Sequence, residues 1–191
     1  YEKAAMVVRE MTDLLALDLV DKGLVTDQIV LTIGYDIENL SDPVRRKQYR
    51  GEITTDRYGR QVPKHAHGTG NLKTPTSSSG ELTEAVMTLY RRLVDSALLI
   101  RRVTVTVNHL VREETMKRKQ IYEQLDLFTD YEAKRREEEF REEERAKEKK
   151  LQQAMLDIKK KYGKNAILKG SNLQEGATVR SRNSQIGGHR A

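Results

Sequence analysis

The sequence predicts an α+β fold: a two-layer domain with a small β-sheet and two helices on one face, then a long charged helix and a flexible tail. Three observations predict it. Residues 2–22 and 82–97 repeat apolar side chains every three or four positions, the period of a helix with one buried face. Residues 29–37 and 100–108 alternate apolar and polar side chains, the period of a half-buried strand. Beyond residue 112 that patterning gives way to Glu, Lys and Arg.

The first helix carries its stripe at Ala4, Val8, Met11, Leu15 and Leu19, flanked by Val7 and Leu14, and Gly23 is placed to stop it. In the first strand Ile29, Leu31, Ile33, Tyr35 and Ile37 point one way, and Val30, Thr32, Gly34 and Asp36 the other. Residues 38–60 are polar and rich in Arg, Asp and Gly, which predicts a loop or a hairpin insertion. Short strand-like pieces follow around residues 65–67 and 71–73. Ser78 and Glu81 have the spacing of a capping box. The second helix lines up Leu82, Val86, Leu89, Leu93 and Ala97. In the last strand Val103, Val105 and Val107 face the core, with Arg102, Thr104, Thr106 and Asn108 on the other side.

With the helices on one face of the sheet, the opposite face shows Thr32, Gly34, Arg102, Thr104 and Thr106. Such a surface is small, polar and basic, and suits a phosphate backbone through hydroxyl and guanidinium donors. On this pattern alone the ordinary reading is a solvated sheet face, which strands with alternating Thr commonly present.

Composition narrows the function classes. The 191 residues include no Cys, which excludes disulfides and thiolate metal sites. No apolar run approaches a membrane span and no signal peptide is visible, so a cytoplasmic location is expected. The opening at Tyr1, directly in a helical pattern, suggests a fragment with further chain upstream. The net charge of +6 is uneven: residues 1–112 hold 16 basic and 14 acidic side chains, residues 113–161 hold 14 of each, and residues 162–191 hold 5 and 1. That balance suits a polyanionic partner.

No catalytic residue is expected. The carboxylates of residues 1–112 are scattered, and no Gly-rich phosphate loop is present. His65 and His67 lack further His or Cys partners nearby, so no metal site is expected.

Four segments emerge: a globular domain over 1–112, a connector over 113–129, a charged helix over 130–163 and a basic tail over 164–191. In the helix, pairs such as Glu132 with Arg136, Glu137 with Arg141 and Glu143 with Lys147 sit four apart, and each stabilises a helix by roughly 0.2–0.5 kcal/mol. Leu151, Ala154, Met155 and Ile158 form a late apolar cluster able to pack on something. No apolar heptad runs through residues 132–148, which argues against a coiled coil. Gly163 should end the helix, and the Gly- and Arg-rich tail has little to bury.

The connector holds Gln124, Leu125, Asp126, Leu127 and Phe128, a short apolar string opened by an amide amid dense charge. Leu127 and Phe128 suit a greasy pocket on a partner, with Leu125 as a third anchor and the Gln124 amide at the pocket mouth. The alternative is a Leu/Phe turn tucked onto its own domain. The string resembles the peptide by which bacterial DNA polymerases and repair proteins dock on the sliding clamp.

A wider resemblance covers almost the whole chain. Residues 29–35 (Ile-Val-Leu-Thr-Ile-Gly-Tyr) and 98–105 (Leu-Leu-Ile-Arg-Arg-Val-Thr-Val) resemble the little-finger domain of Y-family DNA polymerases, closest to the UmuC-like branch. Residues 56–60 and 62–69 are similar to an insertion of some bacterial members, and residues 162–170 and 186–191 to the branch's tail. The resemblance implies a four-stranded sheet with two helices on one face, its first strand upstream of Tyr1, gripping the template–primer duplex mostly through phosphates. Arg101, Arg102, Thr104 and Thr106 match the duplex-facing last strand; Lys64, His65, Gly68, Lys73 and Thr74 match the third. It also implies a bacterial, nucleoid-associated protein whose catalytic carboxylates and Mg²⁺ lie in a palm domain not included in this sequence. A regulatory partner for residues 162–191 is a further expectation.

Two other classes remain open at this point. A stand-alone adaptor would bind DNA and the clamp with no polymerase attached, and only sequence upstream of Tyr1 separates the two. A structural helical protein built on residues 130–161 would leave the strings on either side unexplained.

Overall fold

A computed structural model of the protein describes residues 1–116, 131–186 and 189–190. The chain opens with helix α1 (Glu2–Lys22), which ends where Gly23 adopts a left-handed φ of 63° and its N–H reaches back to Leu19 and Val20. Strand β1 (Leu24–Tyr35) starts five residues before the alternation becomes clear and stops two before Ile37, which instead leads into a short helix. An insertion follows, made of α2 (Glu38–Ser41), α3 (Pro43–Gln48) and a hairpin of β2 (Ile53–Thr55) and β3 (Gln61–Pro63). The two fragments expected around residues 65–67 and 71–73 are one strand, β4 (Ala66–Thr76). Helix α4 (Ser79–Leu93), strand β5 (Ile100–Asn108), the two-residue β6 (Val111–Arg112) and α5 (Glu113–Met116) complete the domain.

The sheet is antiparallel with β1 in the middle, between β4 and β5, and β6 pairs with the start of β1. Helices α1 and α4 cover one face. Between them and the sheet, Val8, Leu19, Ile29, Leu31, Ile33, Leu82, Val86, Leu89, Tyr90 and Val105 are buried together. Ala4, Met11, Leu15 and Leu93 pack at the edge of this core, so both predicted stripes face inward. Ala97 lies past the end of α4 and is exposed. The phenol of Tyr90 is buried and donates to the Tyr1 carbonyl at 2.8 Å, and burial raises its pKa.

Gly68 and Gly70 explain how close α4 lies to β4. A Cβ at Gly68 would sit 2.4 Å from Leu93 Cδ1, and one at Gly70 would sit 3.2 Å from Leu89 Cδ1. The two glycines break the visible alternation of β4, which is why the sequence showed two pieces in place of one strand.

The capping box is half formed. Ser78 Oγ accepts from the Glu81 N–H at 3.1 Å, as expected. The Glu81 carboxylate faces outward to Arg145, 2.9 Å from its Nε.

That residue belongs to α6 (Tyr131–Tyr162), a helix of 32 residues that packs across α1. Its docking stripe is mostly polar. Arg145 also donates to Thr74 Oγ1 at 2.8 Å, Glu148 accepts from the Gly80 N–H at 2.9 Å, and buried Gln152 donates to the Ser77 carbonyl at 3.1 Å. Leu156, with Met155 beside it, meets Leu17 and Val20 of α1. Leu151 and Ala154 of the predicted cluster are exposed.

The segment after Gly163 differs from the expected loose tail. A 3₁₀ turn (Gly170–Leu173) and helix α7 (Val179–Asn183) fold back on α1, and Val179 is buried. Their anchor is Glu10, a buried carboxylate on the back of α1. It accepts from the Thr178 N–H and Oγ1, both at 3.0 Å, and from Arg182 at 3.0 Å. A two-residue hairpin of β7 (Gln185–Ile186) and β8 (His189–Arg190) closes the described chain. Helix α1 is therefore covered on two sides, which accounts for a buried surface wider than one stripe.

Candidate nucleic-acid interface

The face of the sheet away from α1 and α4 carries no covering element among the described residues. Directly opposed residues of an antiparallel sheet point the same way, so the register defines this surface. Its rows are Asn71, Gln28 and Asn108; Thr69, Val30 and Thr106; His67, Thr32 and Thr104; then Gly34 with Arg102.

Side-chain hydrogen bonds knit the rows. Gln28 donates to Asn71 Oδ1 at 3.0 Å and accepts from Asn108 Nδ2 at 2.8 Å. Thr32 Oγ1 lies 2.9 Å from His67 Nδ1. At Gly34 a Cβ would come within 3.3 Å of Arg102 Cβ, so the glycine leaves room for the arginine's stem. Apart from Val30 the surface consists of hydroxyls, amides, an imidazole and a guanidinium.

Charge divides this face into two ends. The amide row at Gln28 is neutral. The other end has Arg102 on the face and Arg101 in the irregularity where β5 shifts register against β1 between Gly34 and Tyr35. Both arginines are exposed.

The predicted site residues divide accordingly. Thr32, Gly34, Arg102, Thr104 and Thr106 lie together on the open face, with Arg101 at its rim. The second group does not share it. Gly68 pairs with Leu31 on the side covered by α4. Lys64 sits at the base of the β2–β3 hairpin, its Nζ 2.6 Å from Glu52. His65 lines a cleft of about 490 Å³ with Tyr35, Tyr49 and Asp95. Lys73 and Thr74 fall in a bulge, where the five steps from Asn71 to Thr76 face the two from Thr26 to Gln28, and Thr74 is bonded to Arg145. The β4 residues that do reach the open face are His67, Thr69 and Asn71. Their signal was the period of two, hidden by the glycines between them.

Among the described residues no group of three or more His, Asp or Glu side chains is arranged to hold a metal ion. No helix among them is long and apolar enough to cross a membrane. Gln124, Leu125, Asp126, Leu127 and Phe128 lie outside the described residues.

Residues 1–127 match a known family, described as the impB/mucB/samB family C-terminal domain. The chain belongs to this family. It forms the C-terminal region of a Y-family polymerase, a class that works in DNA repair by translesion synthesis. No curated protein and no solved structure matches it. The family match ends one residue short of Phe128, so α6 and the tail lie beyond it.

Proposed function

We propose that the open face of the β4–β1–β5 sheet lies against the template–primer duplex, and that Gln124–Phe128 tethers the polymerase to the sliding clamp. The observation that carries the first part is the uncovered polar face ending in Arg102, in a chain whose family is a DNA polymerase family. Hydroxyl, amide and guanidinium donors with almost no apolar bulk suit phosphate and sugar contacts, which position a duplex without reading its sequence. The clamp part rests on the string itself. Leu127 and Phe128 fill a pocket on the partner, and the tether raises the local concentration of the polymerase at the primer end.

Phosphoryl transfer belongs to another part of the polymerase. The resemblance to Y-family polymerases assigns its Mg²⁺ and clustered carboxylates to a palm domain. A stand-alone adaptor would use the same two surfaces, but family membership favours the polymerase.

Duplex affinity measured over a range of salt concentrations tests the face. Arg102→Ala lowers affinity alike for unrelated sequences and reduces the slope of log affinity against log salt by roughly 0.9 for one lost phosphate contact. Unchanged affinity and slope exclude Arg102 from the interface.

A further inference from the structure

Within the insertion between β1 and β4, basic side chains gather in α3 and the β2–β3 hairpin. Residues 43–65 carry Arg45, Arg46, Lys47, Arg50, Arg57, Arg60 and Lys64 against Glu52 and Asp56, a net +5. Asp36, Glu38 and Asp42 open the insertion on its other side, so residues 36–65 as a whole are +2 and the cations lie in its α3 and hairpin part. Two of the seven cations are paired, Arg60 with Asp56 and Lys64 with Glu52. Arg45, Arg46, Lys47, Arg50 and Arg57 form no ion pair among the described residues.

The hairpin tip is built and not slack. Asp56 Oδ1 accepts from the Tyr58 N–H at 2.8 Å and the Arg60 N–H at 3.0 Å, and Oδ2 accepts from the Arg60 guanidinium at 2.9 and 2.7 Å. Gly59, at φ 78°, supplies the left-handed residue that this turn requires. The base is fixed as well. Buried Asn39 bonds both the N–H and the carbonyl of Leu99, and the Lys64 N–H donates to Glu52 O at 2.8 Å.

This hydrogen-bonded ribbon presents an aromatic ring. Tyr58 is 72% exposed, with the guanidinium carbons of Arg57 and Arg60 at 5.6 and 5.1 Å from its centroid. Asp56 holds Arg60 in place. Arg57 has no ion pair among the described residues, so it is able to turn to a phosphate and leave the ring to another π-face. The insertion springs from the sheet end where β1 stops and β4 and β5 begin, the end that carries Arg101 and Arg102.

We infer that the β2–β3 hairpin and α3 bind the unpaired strand that continues from the duplex, with Tyr58 stacked on an exposed base and Arg45, Arg46, Arg50 and Arg57 on the phosphates. The assignment rests on the sheet face being the duplex surface, and it names a second contact with a different substrate form. Unpaired strands are the nucleic acids that offer base faces along their length, and aromatic rings beside a basic track are how proteins hold them without sequence preference. Within a continuous duplex those faces are stacked and closed to Tyr58.

Fluorescence anisotropy with two labelled DNAs tests this: a blunt duplex, and the same duplex with a single-stranded template arm. The arm raises wild-type affinity about tenfold. Tyr58→Ala abolishes that gain and leaves blunt-duplex affinity unchanged, whereas Tyr58→Phe keeps it. Arg46→Ala with Arg50→Ala lowers the salt slope for the arm by roughly 0.7 per lost contact. Arg102→Ala weakens both DNAs alike. Equal wild-type affinity for the two DNAs overturns the inference alone, as does a Tyr58→Ala variant that keeps the gain or weakens both equally. Wild type that binds neither DNA overturns the duplex face as well.

Discussion

The carboxylate of Glu10 meets the guanidinium of Arg182 at 3.0 Å, 172 positions apart, with the Glu10 side chain only 2% exposed. A charge that deep is stable only if partners replace its water. Burial works to raise the Glu10 pKa, but the Thr178 and Val179 N–H groups, the Thr178 hydroxyl and Arg182 outweigh it and hold the carboxyl below its ordinary value. The tail is thus fastened to the back of α1, on the side away from the sheet.

Neutralising Glu10 should release it. Docking stability from a depressed carboxylate is fully present above the unfolded pKa, roughly 4.3, and is lost as pH falls through the lower folded value. The tail therefore stays docked at neutral pH and opens only below that value. Glu10→Gln should cost about 2 kcal/mol, under the full cost of breaking a buried pair because Arg182 is partly exposed. Hydrogen exchange at the Thr178 amide reads both effects. Unaltered protection in the variant, or opening that begins above the ordinary carboxylate range, would contradict this.

Gly68→Ala tests which way that position faces. A Cβ there meets Leu93 Cδ1, the end of a flexible side chain at the margin of the core, so the loss should be about 1 kcal/mol. Urea denaturation measures it. A fully neutral substitution would mean that Gly68 is not pressed beneath α4.

The alternation of β1 and β5 and the stripes of α1 and α4 were legible because each buries one continuous apolar face. Helix α6 was legible as a helix but not as a docked one. Its contact residues Arg145, Glu148 and Gln152 are the types that normally face water, and only their partners at Glu81, Gly80 and Ser77 mark them as contacts. Glu10 was hidden for the same reason: an acidic residue on an amphipathic helix reads as solvated until Thr178 and Arg182 arrive from the far end of the chain. On the open face, Thr32, Thr104 and Arg102 were readable from the period of two. His67, Thr69 and Asn71 needed the register with β1, since Gly68 and Gly70 carry no side chain to show the alternation.

Replacing both Leu127 and Phe128 by Ala should abolish binding to immobilised clamp in surface plasmon resonance. Duplex affinity and the circular dichroism spectrum should not change, because the anchors of a docking peptide contribute to the partner's pocket and not to the fold. Retained clamp binding would refute the tether. An unfolded double variant would make the two residues part of this protein's own core.

The central claim is that one face of one sheet meets the duplex, and amide chemical-shift mapping tests it most directly. Blunt duplex is titrated into isotopically labelled protein at low salt. The account predicts that the perturbed amides cluster at Gln28, Thr32, Gly34, His67, Arg102, Thr104 and Thr106, with α1 and the Glu10–Arg182 side of the molecule unaffected. Perturbations concentrated on α1, α6 or the tail, with β1 and β5 unchanged, would contradict it.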